Sequence, residues 1–120
     1  MPNPSTSRDD ALVLDIILAA DDAQSFVRGM DFAAFEASRL HQNAVIRSLV
    51  VIGEAAGKLS SDFTAAHSNL PWRNIINMRH RLIHAYNEVR VDIVWAATQV
   101  DLPQLLTTLK PLIPLDDRGA

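Results

Sequence analysis

Residues 40–57 read Leu40-His41-Gln42-Asn43-Ala44-Val45-Ile46-Arg47-Ser48-Leu49-Val50-Val51-Ile52-Gly53-Glu54-Ala55-Ala56-Gly57, and their pattern decides the fold class. At 100° per residue, Leu40, Ala44, Val45, Ile46, Leu49, Val50, Val51, Ile52, Ala55 and Ala56 wrap most of a helix circumference. A helix apolar on nearly every side must be covered by more than one neighbour, and Asp31 supplies an N-cap for this second helical stretch. Gly53 and Gly57 lie one turn apart beside Ala56, so another backbone can approach there, within the monomer or across a dimer.

Upstream, Ser7 and Asp10 resemble a capping box, and Leu12, Ile16, Ala19, Ala23, Phe26 and Val27 follow at helical spacing to an end near Gly29. Downstream, Ser60 to Leu70 reads as a polar connection with one helical turn. Pro71 then opens a third helix with Trp72, Ile75, Ile76, Leu82 and Ile83 as its apolar stripe. A fourth carries Ile93, Val94, Trp95 and Ala97. Asp101 and Gln104 then form a possible capping box that restarts helix through Leu105, Leu106 and Leu109 until Pro111. No strand-like alternation, Asn-Gly turn or internal repeat appears. The expectation is an all-α domain of four to five helices, antiparallel where connections are short.

The 120 residues fit one domain, expected over residues 9–113 with a disordered lead at 1–8 and a tail at 114–120. The absence of cysteine excludes a disulfide framework, a thiolate metal site and a thiol nucleophile. No apolar run approaches the roughly 20 residues that span a bilayer, no signal peptide is read, and a cytoplasmic location is the expectation. With 11 basic and 14 acidic residues the net charge is −3, which argues against a dedicated nucleic-acid binder. Its distribution differs: residues 73–90 hold Arg73, Arg79, Arg81 and Arg90 against Glu88, a local excess of positive charge.

That island contains Met78-Arg79-His80-Arg81-Leu82-Ile83-His84-Ala85-Tyr86. Arg79 falls in the apolar stripe, four residues after Ile75, and a guanidinium there calls for an anion, either Glu54 or Glu36 or a bound one. Arg79 and His84 point about 140° apart on a regular helix. They converge only if the helix ends or bends, or if a second copy faces the first across a twofold axis. Such a pairing suits RNA cleavage, with histidine as general acid and base and arginine on the phosphorane charge, and requires no metal or other cofactor. Tyr86 can stack on a base, bond phosphate, or pack. His80, His84 and Glu88 share a face at i, i+4 and i+8, a zinc-compatible spacing opposed by the neighbouring Arg79 and Arg81. His41 and His67 read as surface residues, and Trp72 and Trp95 as core. Phosphate-loop and dinucleotide glycine patterns are absent.

Arg79, four residues, His84, one residue and Tyr86 match the R-x(4–6)-H motif with the H-x-Y ending of HepT-like proteins in the HEPN superfamily. Val51-Ile52-Gly53-Glu54-Ala55, Pro71-Trp72 with Ile75, Ile76 and Met78, and Val91-Asp92-Ile93-Val94-Trp95 with Asp101-Leu102-Pro103 resemble its other blocks, over roughly residues 8–112. The resemblance implies a HEPN-type up-and-down bundle that dimerises through its motif helices. It implies a metal-independent endoribonuclease toxin of a type VII-like toxin–antitoxin pair. The implied partner is a minimal, MntA-like nucleotidyltransferase antitoxin that transfers AMP from ATP onto the motif tyrosine, here Tyr86. Arg79 and His84 become the catalytic candidates, with His80, Glu54 and Arg81 as possible supporting residues and Glu54 at most orienting the arginine. The family commonly has asparagine where this chain has His80, so a catalytically silent partner of the nucleotidyltransferase is the alternative reading.

Overall fold

The computed structural model describes residues 4–84 and 89–113, and every described element is helical. The elements are α1 (Pro4–Phe26), α2 (Phe32–Glu36), α3 (Arg39–Lys58), α4 (Ser61–Ala66), α5 (Trp72–His84), α6 (Val91–Ala96) and α7 (Leu102–Leu109). A π-helical segment, Ala97–Asp101, joins α6 to α7, and a 3₁₀ turn, Lys110–Leu112, follows. Four long rods, α1, α3, α5 and the continuous α6–α7, make the bundle expected from the sequence, with α2 and α4 as short inserts. α3 is its axis: it packs on α1 along one side and α5 along another, while α1 also meets α7. All the apolar residues of the 40–57 stretch are buried or half-buried except Leu40, which is 76% exposed in the first turn of α3.

Local chemistry explains the breaks, including those the sequence pattern hid. α1 starts at Pro4, ahead of the Ser7 box, where a proline with fixed φ suits a helix start. It ends at Phe26, and Gly29 takes the turn with φ +79, a conformation that glycine adopts without strain. Phe26 is exposed at this end rather than in the core. Asp31 caps only the five-residue α2, its carboxylate accepting from the Ala34 N–H at 2.8 Å. Ser38 then caps α3 by accepting from the His41 N–H at 3.3 Å, so the single expected second helix is two. Ser60 caps α4, accepting from the Phe63 N–H at 3.1 Å.

The same Ser60 ties the connection to the start of the bundle. Buried Asp9 accepts from the Ser60 N–H at 2.9 Å and from its hydroxyl at 2.6 Å. Both tryptophans join the apolar interior as expected. Trp72 is buried and donates from its indole to the His67 carbonyl at 3.0 Å, while half-buried Trp95 packs on Phe35 at 5.3 Å between ring centroids. His41 bonds the Ser38 hydroxyl through Nδ1 at 2.6 Å and the His67 ring stacks on Phe63 at 4.5 Å, so neither is a bare surface residue.

The expected stop and restart at Asp101 does not occur. Asp101 keeps helical dihedrals and makes no cap hydrogen bond, and Gln104 donates instead to the Asn69 carbonyl at 3.4 Å. Pro103 has no N–H to return to the Gln99 carbonyl, and the helix absorbs this by widening, with the Leu102 N–H bonding the Ala97 carbonyl five residues back. The Thr98 carbonyl, whose π-helical donor would be Pro103, accepts instead from the Gln24 side-chain amide of α1. Proline therefore reshapes this helix without ending it.

Candidate active site

α5 carries the basic motif, and its first link to the bundle is a glycine. A Cβ built at Gly53 would collide with the Arg79 Cβ and lie 3.2 Å from both the Arg79 Cγ and the Ile75 carbonyl. Gly53 therefore serves close approach inside one chain, with the stem of Arg79 laid directly on α3. At Gly57 a Cβ would meet nothing within 4 Å, so that glycine has no such role in the monomer.

The rest of α5 divides by helical angle. Trp72 and Leu82 are buried and Ile75 and Met78 half-buried, while His80, Arg81 and His84 are exposed. Ile76 and Ile83, read from the sequence as part of the inward stripe, are 37% and 39% exposed. With Ile76 set at 0°, Ile83, His80 and His84 fall at about −20°, +40° and +80°, whereas Arg79 falls at about −60°, toward Ile75 and Leu82. Arg79 thus sits on the boundary between the packed and open faces. Its Nε is buried and has no hydrogen-bond partner among the described residues.

The carboxylates expected beside it lie elsewhere. Glu54 is exposed and pairs with Lys58 at 3.6 Å, one turn along α3, and Glu36 is exposed at the end of α2. Among the described residues Glu54 makes no ion pair with Arg79. Arg90 is exposed but held by Asp92 at 2.7 Å, an acid just beyond the 73–90 window, so the exposed arginines of the island without an ion pair among the described residues are Arg73 and Arg81.

Arg79 and His84 are not brought to one point within one chain. α5 is α-helical without interruption from Trp72 to His84, so the helix does not end before the histidine. The structure instead brings His80 and His84 together, with ring centroids 4.5 Å apart and planes inclined at 48° on the open face. Tyr86 and Glu88, and with them the motif tyrosine and the third residue of the zinc-like spacing, lie outside the described residues.

Beneath α5 a cavity of about 110 Å³ is lined by Leu49, Ile52, Ile75, Met78, Asp101 and Leu105, among others. Burial there holds the Asp101 carboxyl above the ordinary carboxylate range, because the charged form loses hydration. Neither Arg79 nor His84 lines that cavity; exposed His84 lies on the open face of α5, and half-buried Arg79 at its edge. No described helix is long and apolar enough to cross a membrane.

Comparison with known proteins places this arrangement. A family model described as ribonuclease HepT-like matches residues 16–112. The chain is 40% identical over 91 residues to "Probable ribonuclease HepT" of Thermococcus cleftensis, covering 76% of this chain and 83% of that protein. It is 32% identical over 95 residues to "Putative RNase MJ1380" of Methanocaldococcus jannaschii, covering 79% of this chain and 87% of the relative. No solved structure matches. A family match across most of the chain, on an all-helical bundle presenting an arginine and histidines on one helix, means that the chain belongs to the HepT-like ribonuclease family.

Proposed function

We propose that the protein is a metal-independent endoribonuclease toxin whose chemistry is carried by Arg79 and His84. The observation that carries this reading is the pair of groups on α5: an arginine whose Nε, buried, finds no acceptor among the described residues, and a solvent-facing histidine on the same helix. A buried guanidinium nitrogen calls for an anion, and RNA phosphate is the anion offered by the family's activity.

The histidine, neutral, takes the proton of the 2′-hydroxyl as that oxygen attacks the adjacent phosphorus. A second histidine, protonated, gives its proton to the departing 5′-oxygen, leaving a 2′,3′-cyclic phosphate and a 5′-hydroxyl. Arg79 neutralises charge on the pentacoordinate phosphorus. Because the two directions differ by about 140° on a straight α5, the complete set needs a second copy, and the proposed assembly is a homodimer facing through its motif helices. The exposed Ile76 and Ile83 give that face apolar area to bury. Exposed His80 and Arg81 are proposed as supporting residues beside the RNA.

The proposed partner is a nucleotidyltransferase antitoxin that attaches AMP to Tyr86. Adenylates added near Arg79 and His84 would fill the cleft with negative charge and repel RNA phosphate. A second reading, a catalytically silent partner of that enzyme, is favoured by one feature, His80 in place of the family's asparagine.

Incubation with single-stranded RNA in excess EDTA is expected to give fragments with cyclic-phosphate and 5′-hydroxyl ends. Arg79→Ala and His84→Ala should each slow cleavage about 100-fold or more. Unchanged cleavage in both variants would sink the assignment, and no cleavage by unmodified protein would favour the silent partner. Peptide mass mapping after incubation with the nucleotidyltransferase and ATP tests Tyr86, which should carry one or more adenylates.

A further inference from the structure

The His80–His84 pair is not used as a pair in the proposed cleavage, and its geometry suits another task. The two rings lie one turn apart on α5, both exposed, with centroids 4.5 Å apart and planes at 48°. Imidazole nitrogens bind a tetrahedral ion at about 2.0–2.1 Å, which sets two nitrogens on one ion about 3.3 Å apart. Rings already in contact at i and i+4 reach that spacing by small side-chain rotations, without disturbing the helix. We propose that His80 and His84 form a two-histidine chelate for a borderline divalent transition-metal ion such as Zn²⁺, Ni²⁺ or Cu²⁺, with water completing the coordination.

Two nearby features bear on the affinity. Arg81 is exposed and solvent screens its repulsion, while Arg79 leaves the helix toward α3, with its Cβ against Gly53. Second, an open face that admits RNA also admits an ion. Nitrogen ligands select Cu²⁺ over Ni²⁺ over Co²⁺, and they do not select Mg²⁺, which demands oxygen. On the ribonuclease reading above, an ion held by His84 removes the group that transfers the proton. Trace transition metal is then an inhibitor of a reaction that itself needs none.

Calorimetric titration of the apo protein with NiCl₂ and with ZnCl₂ tests the site without RNA. Binding is expected, and His80→Asn and His84→Asn should each weaken it about 100-fold, because the second imidazole acts at the high effective concentration set by the first. No binding, or binding that survives either substitution, would overturn the proposal. Circular dichroism of the variants guards against misfolding, and both positions are exposed. In parallel, cleavage by the parent and by His80→Asn is compared in EDTA and in added NiCl₂, so each protein is its own reference. Inhibition by Ni²⁺ in the parent and its loss in His80→Asn are expected. Metal binding without RNA cleavage under any condition would leave the site standing and remove the ribonuclease reading. Cleavage indifferent to metal, in a protein that binds none, would do the reverse.

Discussion

On the inner side of α5, Arg79 lays its Cβ against Gly53 and buries an Nε for which the described residues offer no acceptor; on the outer side, His80 and His84 stand in solvent with their rings in contact. The first arrangement is fixed by packing, since backbone meets stem through a missing side chain. The second is fixed only by helical periodicity. The difference separates two kinds of residue in one motif: those whose replacement should move stability and activity together, and those whose replacement should move activity alone.

His84→Ala is the sharpest test of that division. Cleavage should fall about 100-fold or more, while the midpoint of thermal unfolding stays nearly unchanged, because an exposed substitution is usually worth less than about 0.5 kcal/mol. A large loss of stability would show that the outer face is packed, and the comparison would break. Gly53→Val probes the inner face. The added side chain meets the Arg79 stem and the Ile75 carbonyl, so urea denaturation should show a loss of about 3 kcal/mol, near the upper end of overpacking effects. Cleavage per folded molecule should fall as well, since α3 and the Arg79 stem cannot both keep their places. Destabilisation with full cleavage would mean that α3 does not position the arginine.

Asp9 supplies the control far from α5. Its carboxylate accepts both the Ser60 N–H and hydroxyl inside the bundle, so Asp9→Ala should cost about 2 kcal/mol by urea denaturation while leaving cleavage per folded molecule intact. Asp9→Asn should lose less, because it keeps one acceptor for the Ser60 N–H. An effect of Asp9→Ala on the rate itself would blur the distinction between scaffold and site.

How much of this was legible in the sequence follows the range of the interactions. The encircling apolar pattern of residues 40–57 announced a central helix, and the Arg79, His84 and Tyr86 spacing together with three other blocks in order announced the family, because each of these signals is local in the sequence. Leu40 was misread for the same reason: the apolar register runs on through it, although Ser38 starts a new helix and leaves that leucine outside. Gly53 and Gly57 looked equivalent, and only the position of α5 distinguishes them. The Asp9–Ser60 tie joins residues 51 positions apart and leaves no spacing to read. The arginine's expected acids failed likewise, since Glu54 turned to Lys58 on its own helix.

Asp101 shows how a correct residue acquires the wrong role, and it yields the smallest of the expected effects. A carboxylate two residues before proline reads as a cap, yet a helix that widens to π geometry keeps Asp101 within the rod and beside the cavity that Ile75 and Met78 also line. Burial raises its pKa above the unfolded value, so the folded state binds more protons than the unfolded state in the interval between the two. Stability contributed by the protonated form is present at pH below the unfolded pKa and is lost as pH rises through the folded one. Asp101→Asn removes that titration and keeps the shape. It should therefore stabilise the protein at neutral pH, and the gain should shrink toward zero as urea denaturation is repeated in increasingly acidic buffer. An amide that destabilises at neutral pH would show that the carboxylate has a partner there, and that the inner side of α5 is braced by charge as well as by the Gly53 contact.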